Sequence, residues 1–420
     1  MDRAEDRKIG SLEVNESMAS ELPHLRASDP SLCVKCGNCK SLCPTHIEFM
    51  NEGMSARGRV ALLKKFFSGE IESSDNLDER IFSCLLCGSC NSLCPLGISI
   101  TDVVYEGRRR LADRKKYWLF RSLMKYAFMD PARTLRIFQF FGNSGLLPFL
   151  RRLRPFRAME DLGIRIPGTR LRDGASLFKV PKPRGRIAIF AGCTVDFLFP
   201  AMGLSLIYTL NAMDYDVVLP KGEACCGAPL LASGLRKEVE ALAEKNLHAF
   251  KKLQAEAVIS LCPTCTHFIR YEYPKIIGDG IGNVMDISRF LDDVPLDTML
   301  MQPAESPGTV TYHDPCHSIN YLGIKDEPRK ILKTLGFGIT EPAERGCCGL
   351  GGTVRLLHED VSAAILETRV KALKGTDALG MPDMIVTSCP NCVLQLGSGI
   401  KERPVKHIIE IIAANMKRRA

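Results

Sequence analysis

The chain has 420 residues, 45% of them apolar and 25% charged, enough to bury the cores of two or three domains without disulfide staples, so its eighteen cysteines are expected to be reduced and metal-bound in a cytoplasm. No apolar stretch approaches the roughly 18 residues that a bilayer span needs, and the opening Met1-Asp2-Arg3-Ala4-Glu5-Asp6 lacks the basic-then-apolar order of a secretory signal, which leaves a cytoplasmic protein, peripheral at most at the inner face of the cell membrane. The net charge of +8 is local: between Arg108 and Arg157 fourteen Lys or Arg stand against Asp113 and Asp130.

Residues 1–30 are polar without period and read as an N-terminal arm. Residues 31–112 hold two cysteine groups, Cys33-x2-Cys36-x2-Cys39-x3-Cys43-Pro44 and Cys84-x2-Cys87-x2-Cys90-x3-Cys94-Pro95. A tight loop lets three thiolates of such a run grip three corners of a cubane, and in two-cluster ferredoxins the fourth cysteine serves the other cluster. Cys33, Cys36, Cys39 and Cys94 are therefore assigned to one [4Fe-4S] centre, and Cys84, Cys87, Cys90 and Cys43 to a second. The competing reading, a pair of zinc knuckles, does not account for two identical four-cysteine loops that each end in Pro. Between the loops, Val60-Ala61-Leu62-Leu63-Lys64-Lys65-Phe66-Phe67 predicts a short amphipathic helix that Ser68-Gly69 ends.

Residues 113–183 form a basic, aromatic, helical connector. Its composition suits either an anionic membrane surface or acidic partner, or helices that pack over the clusters with Arg and Lys on the solvated side. Pro181-Lys182-Pro183-Arg184-Gly185 marks the boundary to the C-terminal half.

That half is an internal duplication, with copies at 184–300 and 306–418. Cys193, Cys225-Cys226, Cys262 and Cys265 in the first answer Cys316, Cys347-Cys348, Cys389 and Cys392 in the second. Short β-branched runs, such as Ala257-Val258-Ile259-Ser260 and Met384-Ile385-Val386-Thr387, alternate with helix-period stretches such as Glu238 to Leu253 and Val361 to Leu373, the signature of βαβ units. The fold class is thus α+β and α/β: a helical two-cluster ferredoxin-like domain, then two duplicated α/β domains with mostly parallel sheets. Cys193, Cys262, Cys316 and Cys389 each follow an apolar run, which places them at carboxyl ends of strands, where open α/β sheets gather ligands.

Adjacent side chains of an extended strand point to opposite faces, so Cys225-Cys226 and Cys347-Cys348 reach one site only from a turned backbone, for which Gly227 and Gly349 supply freedom. Five thiolates exceed what tetrahedral zinc or an ordinary cubane uses. An unusual cluster, a redox-active cysteine beside a four-coordinate site, or structural zinc in one copy all remain open. His313 and His317 flank Cys316 and either tune its cluster or relay protons, or cap a strand end and contact backbone; the last is the expectation, since only the second copy has them. Gly346-Cys347-Cys348-Gly349-Leu350-Gly351-Gly352 lacks the Lys-Ser/Thr of a P-loop. No flavin or nicotinamide site is identified on this chain.

The two C-x(about 31)-C-C-G-x(about 35 to 40)-C-x2-C copies resemble the cysteine-rich CCG domains of heterodisulfide reductases, glycolate oxidase iron-sulfur subunits, lactate-utilisation iron-sulfur proteins and the corresponding iron-sulfur chain of anaerobic glycerol-3-phosphate dehydrogenase. Cys43-Pro44-Thr45, Ala56-Arg57-Gly58-Arg59, Cys94-Pro95-Leu96-Gly97-Ile98 and Tyr312-His313-Asp314-Pro315-Cys316-His317 are most similar to the glycolate oxidase and glycerol-3-phosphate dehydrogenase branch. The resemblance implies two further [4Fe-4S] clusters of non-cubane form, one on Cys193, Cys225, Cys226, Cys262 and Cys265, the other on Cys316, Cys347, Cys348, Cys389 and Cys392. It implies a subunit that passes electrons between a flavoprotein dehydrogenase and a quinone or other acceptor, with no nucleic-acid partner. The alternative it allows is a catalytic subunit that cleaves a disulfide at the non-cubane clusters. No catalytic residue is assigned.

Overall fold

The computed structural model describes residues 28–112, 118–134, 136, 157, 160–164, 167–301, 307–375 and 381–417. Most of the N-terminal arm, and Arg151, Arg152 and Arg154 with much of the connector, lie outside the described residues.

The cysteine loops of the N-terminal module are carried by helices α1 (Pro44–Phe49), α2 (Ala56–Phe67), α3 (Asp75–Phe82) and α4 (Ile100–Leu111). Ser55 caps α2 by accepting from Gly58 N, and Ser74 caps α3 by accepting from Leu77 N, which satisfies donors that a helix start leaves bare. The predicted helix at Val60 therefore begins a turn earlier, at Ala56, and ends at Ser68 as expected. Both loops place a non-glycine residue in the left-handed region before the second cysteine, Lys35 at φ 61 and Leu86 at φ 55. Each costs about 1 kcal/mol or more, and the repetition shows that the same backbone winding is imposed twice.

Two fully buried arginines hold this module together. Arg59 on α2 donates to Arg80 O at 2.6 Å, Thr45 Oγ1 at 2.9 Å and Ser83 Oγ at 3.1 Å. Arg108 on α4 donates to the carbonyls of Ile81, Phe82 and Cys84 and, across the domain boundary, to Ala232 O at 3.0 Å. Burial pulls the Arg108 guanidinium down to about 10, which still leaves it charged at neutral pH. Helix α5 (Trp118–Met129) follows and turns Met124 inward on the first copy, with Lys125 Nζ 3.0 Å from Glu238 Oε1, while Trp118, Leu119, Leu123 and Tyr126 stay exposed.

The first copy is a five-stranded sheet ordered β1-β3-β2-β4-β5, built from β1 (Leu177–Phe178), β2 (Gly185–Phe190), β3 (Tyr215–Val218), β4 (Ala257–Ser260) and β5 (Val284–Asp286). All pairings are parallel except β1 with β3. The second copy repeats the parallel part as β7-β6-β8-β9, from β6 (Thr309–His313), β7 (Gly338–Thr340), β8 (Met384–Thr387) and β9 (Val405–His407). Among the helices that cover the sheets are α6 (Pro200–Ala212), α7 (Arg236–Lys251), α8 (Cys316–Leu322), α9 (Glu359–Lys374) and α10 (Pro390–Gly399). The β-branched runs named from the sequence are β4 and β8, while β5 and β9 lie outside them.

Strand alternation divides the first sheet's side chains. Ile187, Ile189 and Ile259 enter one core together with Val310, Tyr312, Val386 and the isoleucines 408, 409, 411 and 412 of the second copy. Ala188, Phe190 and Val258 face the other way and pack against Cys225, Cys226, Cys262 and Cys265. One apolar core therefore spans both copies, and the cysteines occupy the opposite face of the first sheet.

Replacing Arg108 with Met strands several buried carbonyls, each costing about 1–3 kcal/mol. The expected outcome is a fall in the thermal midpoint together with earlier proteolytic separation of the N-terminal module from the C-terminal half, read by scanning calorimetry and timed trypsin digestion.

Candidate iron-sulfur sites

Cys33, Cys36, Cys39 and Cys94 line one cavity, with about 390 Å³ of unfilled space, solvent included. Its walls include Val34, Leu96, Ile98 and Arg57, and Cys36 is the one exposed cysteine of the eighteen. Burial and then the Cys33 thiol push Cys39 up to about 11. In the second quartet Cys90 is raised by burial and then by Cys87, Cys84, Cys43 and Cys39, so the last two cysteines of the first loop lie near those of the second. Cys94 of the second loop thus shares a cavity with three cysteines of the first.

The five-cysteine groups assemble at carboxyl ends of strands. In the first copy Cys193 Sγ lies 3.9 Å from Cys225 Sγ, and the Cys226 thiol is lowered to about 6 by its neighbours Cys225 and Cys265. Asn246 on α7 fixes the turned pair: it accepts from Ala224 N at 2.7 Å and donates to Cys225 O at 3.2 Å. In the second copy Cys316 and Cys347 sulfurs are 4.0 Å apart, and those of Cys348 and Cys392 3.5 Å. Ser362 Oγ on α9 donates to Gly349 O at 2.8 Å and is itself held by Gln395 at 3.2 Å. The turn requires glycine at both places: Gly227 has φ 90 and Gly349 φ 89. A Cβ on Gly349 would lie 2.8 Å from Ser362 O.

The groups also adjoin one another. Cys87 of the N-terminal module is pushed up to about 12 by burial and then by the Cys316 thiol. Cys87 and Cys347 share one apolar cluster with Leu85 and Val354, against which Cys316 packs, and Asn320 Nδ2 donates to Cys87 O at 2.9 Å. Between the copies, the Cys262 thiol is held down by its neighbours Cys265 and, from the second copy, Cys389. Asn391 reaches across the same boundary, accepting from Thr194 Oγ1 at 2.9 Å and turning Nδ2 to Cys262 Sγ at 3.7 Å. His407 Nε2 meets Leu261 O at 3.1 Å. The order in space is first quartet, second quartet, second copy, first copy.

The donor set fits iron-sulfur clusters. Several thiolates buried at one site repel one another, so ionising all of them requires added positive charge, which iron supplies. The protein adds more. Among the described residues no carboxylate lies within ion-pairing distance of Arg59 or Arg108, whose groups back the second quartet. Arg369 on α9, 4% exposed, faces Cys347, Cys348 and Cys392; its Nη1 donates to Glu344 O at 2.6 Å, while Nε and Nη2 have no hydrogen-bond partner. Asp314 is the strongest source of opposite charge for Arg369, ahead of the thiols, and buried guanidinium groups such as these are expensive unless an anionic centre sits beside them.

The two histidines are placed differently from the strand-cap expectation. His317 Nδ1 is 3.5 Å from Cys316 Sγ, and its ring packs in a group with Tyr321 and His267, whose rings stack at 4.0 Å. His313 is fully buried at the end of β6, with a ring nitrogen and the sulfurs of Cys348 and Cys392 all within 4.8 Å of one another. Arg59, Arg108, Arg369, Asn246 and Asn391 escaped sequence reasoning; Arg59 lies in a quoted motif, Ala56-Arg57-Gly58-Arg59, but no periodicity marks its burial.

A helical module with two interleaved four-cysteine loops, joined to two parallel-sheet units that each gather five cysteines, defines an iron-sulfur redox protein. Residues 13–98 match the 4Fe-4S dicluster domain family, and residues 187–270 and 310–397 the cysteine-rich CCG domain family. The chain is 30% identical over 400 residues to the probable glycolate oxidase iron-sulfur subunit of Bacillus subtilis, covering 88% of each chain. It is 26% identical to the glycolate oxidase iron-sulfur subunit of Escherichia coli, covering 90% of this chain and 92% of that one. Identity to a subunit of the dihydromethanophenazine:CoB–CoM heterodisulfide reductase of Methanosarcina mazei is 24%, over 96% of both. The chain belongs to this family of iron-sulfur oxidoreductase subunits, in which a dicluster ferredoxin domain precedes two cysteine-rich domains. No described helix is long and apolar enough to cross a membrane.

Gly349→Ala forces the close approach to Ser362 O and an unfavourable backbone angle. Iron content after anaerobic reconstitution is expected to fall by one cluster, about four atoms per chain, with the electron paramagnetic resonance (EPR) signals of the ferredoxin quartets retained.

Proposed function

We propose that this chain is the electron-relay subunit of a flavin-linked dehydrogenase complex of the glycolate/lactate or glycerol-3-phosphate type, set between a flavoprotein partner and a quinone or other acceptor. The observation that carries the reading is the unbroken adjacency of the four cysteine groups, through Cys87 beside Cys316 and Cys262 beside Cys389. Bound [4Fe-4S] clusters supply one-electron oxidation and reduction. Cys33, Cys36, Cys39 and Cys94 would hold one, Cys84, Cys87, Cys90 and Cys43 a second, and the five-cysteine sets of the two copies one each. Leu85, Val354 and their neighbours keep water from the junction of module and second copy, and Arg59, Arg108 and Arg369 offset thiolate charge. Exposed Cys36 puts the first quartet where another redox protein can approach it. A chain with one-electron centres alone needs a partner to take a hydride from an alcohol.

Disulfide cleavage is the second reading. What favours it is the direct abutment of the two five-cysteine sites, each of which keeps one half-buried cysteine, Cys193 or Cys316.

Anaerobically purified protein is expected to carry about sixteen irons per chain and to co-purify with a flavoprotein; about eight irons with stoichiometric zinc overturns the four-cluster reading. Disulfide reduction by viologen-reduced protein would favour the second reading over the first. The exposed Trp118, Leu119, Leu123 and Tyr126, next to the basic stretch, support attachment to an anionic membrane face. Binding to anionic liposomes should weaken with salt and on joint replacement of Arg151, Arg152 and Arg154 by Gln, measured by co-sedimentation; unchanged binding assigns the stretch to a structural linker.

A further inference from the structure

The duplication is faithful in its cysteines and unfaithful in the ring that closes the first strand of each parallel core. His313 stands three residues before Cys316 and Phe190 three before Cys193, each the last residue of its strand, β6 or β2. Both are completely buried. Phe190 stacks on Phe250 with centroids 5.5 Å apart, an apolar contact that needs nothing further. His313 brings two polar nitrogens to the equivalent position, and neither has an oxygen or nitrogen partner. The polar atoms that face its ring are the sulfurs of Cys348 and Cys392.

A buried polar group left unpaired costs about 1–3 kcal/mol, which phenylalanine at this position would avoid. Imidazole carries a lone pair on one ring nitrogen at neutral pH, and it is a common ligand for iron as well as zinc. We propose that His313 is a ligand of the metal centre in the second copy, which makes that site a mixed sulfur and nitrogen set while the first copy is sulfur alone. The proposal rests on the reading that both five-cysteine sites bind iron-sulfur clusters. Replacing thiolate by imidazole ligation raises the potential of a cluster, as Rieske centres show. The second copy, which lies against the N-terminal module, would then be reduced more readily than the first.

The test uses the full chain, loaded with iron and sulfide under anaerobic conditions and reduced stepwise, with pulsed EPR as readout. A strongly coupled nitrogen is expected, changing to the 15N pattern on labelling with 15N-histidine, lost in His313→Phe and retained in His317→Gln. The midpoint of the second-copy centre should shift negative in His313→Phe, with the ferredoxin midpoints unmoved. Iron near sixteen per chain, about four clusters, without strongly coupled histidine nitrogen overturns this inference alone. Retention of the coupling in His313→Phe does the same. Iron near eight, about two clusters, overturns both this inference and the reading beneath it. The labelling arm uses the unaltered protein and stands even where His313→Phe does not fold.

Discussion

Thiolate charge cannot be gathered in a protein interior without positive charge beside it, and this constraint organises the molecule. Iron meets most of it. The remainder falls to guanidinium groups that are otherwise hard to explain: Arg59 and Arg108 behind the second quartet, and Arg369 beside Cys347, Cys348 and Cys392. Arg59 and Arg108 are tethered to carbonyls and hydroxyls, so their charge stays available to the site, while Arg369 also faces the Asp314 carboxylate. Arg172 in the first copy shows the contrast. Its Nη2 lies 2.7 Å from Asp196 and its Nη1 4.0 Å from Glu223, so little of its charge is left over. The two copies thus offer their centres different electrostatic surroundings on one backbone plan.

The duplication also explains how distant cysteines come together. Parallel strands deliver Cys193, Cys262, Cys316 and Cys389 to strand ends, and the shared core holds the two sheets so that the loops after β4 and β8 meet. Contact between Cys262 and Cys389 is then a product of how the copies pack, and Asn391 and His407 secure it from the second copy's side.

Spacing in the sequence was enough to reveal the two loops, the five-cysteine sets and the parallel-sheet class, because metal ligation and strand alternation both leave short-range patterns. Ligand assignment within the loops follows a chemical rule, and Cys94 lies in one cavity with Cys33, Cys36 and Cys39. The arginines were illegible for a physical reason: a buried Arg and an exposed Arg differ only in what surrounds them, and the carbonyls that Arg108 meets lie up to 124 residues away. Asn391 was hidden likewise, since its partners Thr194 and Cys262 belong to the other copy. His313 was visible as a residue, but its setting was not; only the buried ring position it shares with Phe190 shows that it does not serve as a backbone cap.

Cys36 stands apart from the other seventeen cysteines in being exposed. A surface open enough for the proposed partner to exchange electrons there would also admit dioxygen and peroxide. Oxidative damage therefore has a preferred starting point at the rim of the first quartet, while the five-cysteine centres sit behind it. In the proposed complex, a partner seated at that rim would also shield it.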